Sequence, residues 1–278
     1  MPDPLRCGRI SFTNDLPIYA AFDEGAVGFP GTLVADVPSR LNAALTAGDL
    51  QMGPISAAHY ARHADELVLL DDICIGCRDY VWSVLLVTPT PPQLLDRVEI
   101  AVMRSSASAR GLLQILLERR FGVRAAFSTT DDALHAARMA QPTLLIGDQA
   151  LDAREMFDPN MVYDLGHLWN EWTEADMVFA VWAARRDAYE TRRREIESAN
   201  AALREAQAWG WSHLDRVVAR AQAQHPRAPG FYERYFGTLN FELDLSARAG
   251  LARYIAELDA VGLIPGILGR SEAWRVAS

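Results

Sequence analysis

Short apolar runs, each broken by a polar turn and followed by residues at helical spacing, recur along this chain up to about residue 184. The first unit is Arg9 to Phe22, RISFTNDLPIYAAF: an apolar run, the polar segment Ser11 to Asp15, and Leu16 to Phe22 with helical character. Pro17 suits the first turn of a helix, where its missing N–H has no partner to lose. Thr32 to Val37 reads as a strand, and Pro38 to Leu45 places apolar residues at 41, 44 and 45, a helix closed by Gly48. Leu50 to Gly53 reads as a short strand, after which Ser56 is placed to cap a helix from Ala57 to His63. Brief apolar runs at Val68 to Leu70 and Ile73 to Ile75 precede Tyr80 to Val87, the most strand-like stretch, which ends in the proline-rich Thr88 to Pro92.

Beyond it the opening arrangement repeats, with Val98 to Met103 as strand, Arg104 to Ser108 as turn and Ala109 to Arg120 as helix. Phe127 to Asp131 leads into a helix from Asp132 to Met139, and Pro142 to Asp148 is a strand ending in a Gly-Asp turn before a short helix from Gln149 to Met156. Met177 to Ala184 is a second strongly apolar strand, and from Arg185 the pattern is helical and charged almost to the end. Strands alternating with helices predict an α/β fold with a parallel or mixed sheet. Two such blocks joined by a proline-rich segment, with a return strand, predict two lobes and two crossings: residues 1–88 with 178–278 form one lobe, and residues 89–177 form an inserted second. The polar turns at 11–15, 54–56, 104–108 and 147–148 then line the cleft, where helix N-termini offer free N–H groups to an anion. The alternative for Asn14 or Asp15 is a plain helix N-cap.

The chain has 278 residues, half of them hydrophobic, enough for one large or two modest cores. Its net charge of -9 opposes binding to nucleic acid and to anionic membrane surfaces, so an anionic ligand must be held by local donors. No leader pattern opens the chain and no window has the roughly 18 uninterrupted apolar residues of a membrane span. With three cysteines, an odd number that argues against a disulfide framework, the expectation is a cytoplasmic protein.

Several constellations compete for a role. Cys74 and Cys77 form C-x-x-C, and His59 and His63 stand four apart just upstream, which can be drawn as a zinc site. Small apolar thiols in a core are the plainer reading, because the cysteines run into a buried strand. The pairs Asp71-Asp72 and Asp131-Asp132 point to different faces and read as caps and solvated turns. Arg192 to Arg194, flanked by Glu190, Glu195 and Glu197, is a charge-compensated helix face. The turn with Ser105, Ser106 and Ser108 is more informative, since it gathers hydroxyls and unpaired N–H groups at a helix start. No G-x-S-x-G elbow and no glycine-rich nucleotide motif is present, which leaves hydrogen-bonded capture of a small carboxylate.

Taken together, RISFTNDLPIY, LNAALTAGDL at 41–50, GPISAAHYARH at 53–63, the Ser83 strand, SSAS at 105–108, LLIGDQAL at 144–151 and YDLGHLWNEWT followed by VFAVWAARRD resemble the chorismate dehydratase family of the futalosine route to menaquinone. One departure is visible: the family usually reads W-T-G-L-P before VFAVW, and this chain has Trp172-Thr173-Glu174-Ala175-Asp176-Met177. The resemblance implies a two-lobed, periplasmic-binding-protein-like (type II) fold with a helical C-terminal region. It also implies conversion of chorismate, a small dicarboxylate, to 3-[(1-carboxyvinyl)oxy]benzoate and water without metal or cofactor. It implies Asn14 as the catalytic residue, and the expectation set beside it is that Asn14 orients the ring while the substrate's own enolpyruvyl carboxylate takes the proton. Ser56, Ser83, Ser105, Ser106, Ala107 and Ser108 carry over as substrate contacts, with Gly147 and Asp148 as weaker candidates. Two other readings stand beside it: the later lyase of the same pathway, 1,4-dihydroxy-6-naphthoate synthase, and a non-catalytic binding or sensor module. The helical tail from 185 is expected to pack on the first lobe, to make a homodimer contact, or both.

Overall fold

The apolar run beginning at Met177 is buried along its length as far as Ala184, as befits a strand covered on both faces, and the first sheet is built around it. The structure, a computed structural model, describes residues 3–103, 107–264 and 266. A first block runs β1 (Arg6–Ile10), α1 (Leu16–Asp23), β2 (Thr32–Asp36), α2 (Pro38–Ala47), β3 (Met52–Ser56), α3 (Ala57–Arg62) and β4 (Leu67–Cys77). A second holds β5 (Val84–Val87), β6 (Glu99–Val102), α4 (Ala107–Ile115), β7 (Ala126–Thr129), α5 (Ala133–Arg138), β8 (Thr143–Ile146), α6 (Gly147–Met156), β9 (Val162–Asp164) and α7 (Leu165–Thr173). The chain returns through β10 (Met177–Arg185) to α8 (Arg186–Ser212), α9 (Leu214–Gln224), α10 (Phe231–Thr238), β11 (Leu239–Glu242) and α11 (Leu245–Ala260).

The first sheet has the order β11-β4-β10-β3-β1-β2 and the second β7-β6-β8-β5-β9. In the first, β1 is parallel to β2 and β3, while β10 runs antiparallel between β3 and β4. In the second, β6 is parallel to β7 and β8, and β5 is antiparallel to β8 and β9. Parallel strands return through helices, so the turns leaving β1 and β3 share one end of their sheet. That end is where open α/β sheets bind ligands.

Three features differ from the sequence expectation. First, β5 pairs with β8 and β9, so Val84–Val87 belong to the second sheet. The chain therefore crosses over residues 78–83, one strand before the boundary expected at 88, and the proline-rich segment lies inside the second block. Second, the runs at 68–70 and 73–75 are one strand, β4, bent where its register against β10 shifts between Val181 and Ala183 and where Asp72 adopts φ 86°. Third, the charged tail contains a strand, β11, which pairs with β4.

The C-terminal helices lie against both blocks. α8 crosses α1 so closely that a Cβ on Gly210 would stand 2.0 Å from the Pro17 carbonyl oxygen, which only glycine allows. α11 reaches the second block, where the Tyr254 hydroxyl donates to the Ser108 carbonyl at 2.8 Å and Glu257 accepts from Arg119 at 3.1 Å. Trp169, Trp182, Tyr19 and Tyr254 are fully buried, each contributing on the order of 2 kcal/mol or more by leaving water. No described helix is long and apolar enough to cross a membrane.

Candidate active site

The ends of β1, β3 and β8 and the start of α4 converge on a cleft lined by Asn14, Ser56, Ser83, Ala107, Ser108 and Gly147 among apolar side chains that include Phe12 and Phe179. Among the described residues that line it there is no lysine, arginine or histidine.

Asn14 occupies a 3-10 turn, Thr13–Asp15, between β1 and α1. The turn forms because the chain must leave the sheet and enter α1 with Pro17 in its first turn, and the Asp15 N–H closes it onto the Phe12 carbonyl at 3.0 Å. Neither Asn14 nor Asp15 caps α1 with its side chain. Asn14 Oδ1 is buried and has no hydrogen-bond partner among the described residues. An amide oxygen left so costs about 1–3 kcal/mol, so the fold holds here an acceptor that a ligand can satisfy. Asp15, beneath it, is 1% exposed with neither carboxyl oxygen in a hydrogen bond. Burial pushes its pKa well above the ordinary carboxyl range, against the pull of the Arg9 guanidinium.

Ser56 ends β3 and caps α3, its Oγ accepting from the His59 N–H at 3.3 Å, as the sequence predicts. Asn42 of α2 doubles the hold: its Nδ2 donates to Ser56 Oγ at 3.1 Å and its Oδ1 accepts from the Ser56 N–H at 3.1 Å. With two donors aimed at the oxygen, the hydroxyl proton remains to be given away, and no acceptor among the described residues takes it.

The second block supplies Ser83, Ala107, Ser108 and Gly147. Ser83 donates from its hydroxyl to the Val81 carbonyl at a long 3.3 Å. Behind it lies the phenol of Tyr235, pushed above its ordinary range by burial. Ala107 and Ser108 open α4, but the Ser108 hydroxyl is committed: it donates to the Phe179 carbonyl at 2.7 Å and accepts from the Ala58 N–H at 3.2 Å. Gly147 sits at φ 60°, its N–H donating to the Ser83 carbonyl at 2.9 Å, and a Cβ there would meet the Phe12 ring at 3.2 Å. Asp148 does not line the cleft; its carboxylate lies 3.8 Å from His225 Nε2. Ser105 and Ser106 lie outside the described residues.

The cysteine–histidine set is not a site. Cys74 and Cys77 are buried in β4 and burial raises both thiols above their ordinary pKa, as the core reading expects. His59 on α3 and His63 at its C-terminal end pack against each other, tilted by 34° with centroids 4.4 Å apart. No cluster of three or more His, Cys, Asp or Glu suited to a metal exists among the described residues. The acidic and basic pairs behave as caps and surface partners: Asp132 caps α5 through the His135 N–H at 2.9 Å, and Arg192 and Arg193 pair with Glu195 and Glu197.

Two residues that sequence reasoning passed over shape the site. Asn42 holds Ser56, and the buried carboxylate of Asp164 holds the crossing beside Ser83. Each lies inside a family-like segment, LNAAL and YDLGHLW, but nothing local shows what its side chain meets.

The family described as Menaquinone biosynthesis matches residues 5–259. A chorismate dehydratase of Thermus thermophilus is 30% identical over 243 residues, 82% of this chain and 85% of that one. Among solved structures, a protein of Archaeoglobus fulgidus superposes at TM-score 0.74 with 20% identity, covering 94% of this chain and 98% of that one. A Candida albicans protein described as having the generic periplasmic-binding-protein fold superposes at 0.69 with 13% identity, covering 98% and 95%. The alkanesulfonate-binding protein of Xanthomonas axonopodis pv. citri does so at 0.69 with 15% identity, covering 96% of each chain. These structural likenesses establish the fold, a periplasmic-binding-protein-like pair of α/β sheets with C-terminal helices. The match along nearly all of its length places the chain in the menaquinone-biosynthesis family.

Proposed function

We propose that this chain is a hydro-lyase that converts chorismate to 3-[(1-carboxyvinyl)oxy]benzoate and water in menaquinone biosynthesis by the futalosine pathway. Family membership and the Thermus thermophilus relative support the reading. The observation that carries it at the level of residues is Asn14 on the wall of a largely apolar cleft, with a buried Oδ1 that has no hydrogen-bond partner among the described residues.

The chemistry asks little of the protein. Loss of the C3 hydrogen and departure of the C4 hydroxyl produce a benzene ring, so aromatisation drives the step forward. What remains is orientation in a dry site and a place for the proton. Asn14 orients the ring from the wall formed by the first block, and the substrate's own enolpyruvyl carboxylate takes the C3 proton, which leaves with the hydroxyl as water. Ser56 donates its unspent proton to a substrate carboxylate, and Ser83 donates from the opposite wall once it gives up its long bond to Val81. Among the described residues, the hydroxyls of Ser56 and Ser83 are the groups offered to the two carboxylates.

The two sheets act as lobes closing on the substrate, joined over residues 78–83 and 165–176. The protein works in the cytoplasm, a placement that its three free, buried thiols support. The test is direct: purified protein mixed with chorismate, without added metal or nucleotide, yields the aromatic enol ether, followed by ultraviolet absorbance and mass. Folded protein that leaves chorismate unchanged under these conditions overturns the proposal.

A further inference from the structure

The segment YDLGHLW is a helix start whose acidic residue holds more than a helix. Asp164 ends β9 and caps α7, its Oδ1 accepting from the N–H groups of Gly166 at 3.0 Å and His167 at 3.2 Å. A cap needs no more than these. Yet the same carboxylate reaches across to the crossing between the sheets. The Val81 N–H donates to both oxygens at 3.2 Å, and the Trp82 N–H donates to Oδ2 at 2.8 Å. Four backbone donors converge on one side chain that is itself buried.

What it holds is the segment that presents Ser83. Trp82 has φ 62°, a left-handed conformation that a bulky residue adopts only when its surroundings impose it. Its indole is packed by three side chains: the Arg154 guanidinium of α6 lies 4.4 Å from the ring centroid, and the Phe231 and Tyr235 rings of α10 lie at 5.6 and 6.4 Å. Ser83 follows, its N–H turned onto the Val81 carbonyl at 2.7 Å and its carbonyl accepting from Gly147. Release of Val81 and Trp82 would free the turn that aims the Ser83 hydroxyl into the cleft, and would do so at the point where the chain passes between the lobes.

We propose that Asp164 is a positioning residue for the reaction, clamping the crossing at Val81 and Trp82 so that Ser83 meets the substrate. The inference rests on the dehydratase reading for its activity test and on the geometry alone for its structural one. Asp164→Asn is the decisive variant, because asparagine caps a helix as well as aspartate does but presents an NH2 group where one of the donors now finds an oxygen. With Oδ1 still capping α7, the NH2 faces the Trp82 N–H.

Two measurements decide it. Hydrogen exchange read on peptides spanning residues 78–86 speeds up at least tenfold in Asp164→Asn, while peptides from α1 and β1 do not change. In a kinetic cycle with chorismate, Asp164→Asn lowers kcat at least tenfold, and Ser83→Ala added to it costs less than twofold although it costs tenfold or more in the parent. Unchanged exchange at 78–86, or losses from the two substitutions that simply multiply, reduces Asp164 to a helix cap and overturns the proposal. If the parent enzyme itself leaves chorismate untouched, the dehydratase reading fails and the exchange result still judges the clamp.

Discussion

Ser56 and Ser108 stand at the starts of two helices on opposite walls of the cleft, and their hydroxyls have opposite fates. Ser56 accepts from Asn42 and His59 and keeps its proton for a ligand. Ser108 spends its proton on the Phe179 carbonyl and its oxygen on the Ala58 N–H, tying α4 to β10 and α3. The same contrast runs along the walls. The first block offers the unpartnered Asn14 oxygen, whereas in the second block the Gly147 N–H is already bonded to Ser83. A serine at a helix start guarantees a hydroxyl near the cleft, and the groups it already satisfies decide whether it is available.

The largest effect that tests this contrast is at Asn14. Asn14→Ala is expected to lower turnover by about 100-fold or more, the size lost with one oriented polar group at a reacting centre. It should leave thermal stability unchanged or slightly higher, since the oxygen removed has no partner to lose. Full turnover by a folded variant excludes the role. Ser108→Ala is expected to show the reverse pattern: a stability loss of about 1–3 kcal/mol in chemical denaturation, from the orphaned Phe179 carbonyl and Ala58 N–H, with kcat reduced much less than in Asn14→Ala. A Ser108→Ala enzyme that is fully stable but inactive would break the comparison.

Asp15 sharpens it through pH. Its folded pKa lies above the unfolded value, so the protonated acid is the form the fold prefers. The stability it contributes is present in full below the ordinary carboxyl pKa and is lost as pH rises toward the raised folded value. Asp15→Asn removes that slope. The variant should match the parent near pH 4 and exceed it in melting temperature by a margin that widens as pH climbs; a constant difference across the range contradicts a neutral Asp15. The smallest effect is expected at Glu174, which closes α7 at φ 56° where the family pattern has glycine. Glu174→Gly should raise stability by about 0.5–1 kcal/mol, as measured by denaturation midpoint, by removing a side chain from a left-handed position.

The same residue shows how the departure from the family pattern is absorbed. Glu174 takes a left-handed turn without glycine, its N–H donating to the Asn170 carbonyl at 2.7 Å, and Asp176 offers its carbonyl to the Trp169 indole at 3.2 Å. The loop therefore returns the chain to β10 with the backbone path that the helix end dictates.

Local order determined much of this molecule from the sequence alone. Alternation of apolar runs with helical spacing, Pro17 and Pro38 in first turns, Gly48 at φ 89° and Ser56 as a cap specify their elements through neighbours a few residues away. Those elements in order imply two α/β sheets and the cleft between them. Tertiary structure alone decided which sheet each strand joins. Tyr80 to Val87 reads as one strand, yet Asp164 bends residues 81–83 into a crossing and leaves only Val84–Val87 to pair. Apolar pattern reports burial and is silent about partners. It also hid β11, four residues between helices, whose pairing with β4 depends on a strand more than 150 residues earlier. For the same reason Ser56 and Ser108 look equivalent in the chain and differ in the fold: a hydroxyl's availability is set by donors and acceptors that arrive from distant segments.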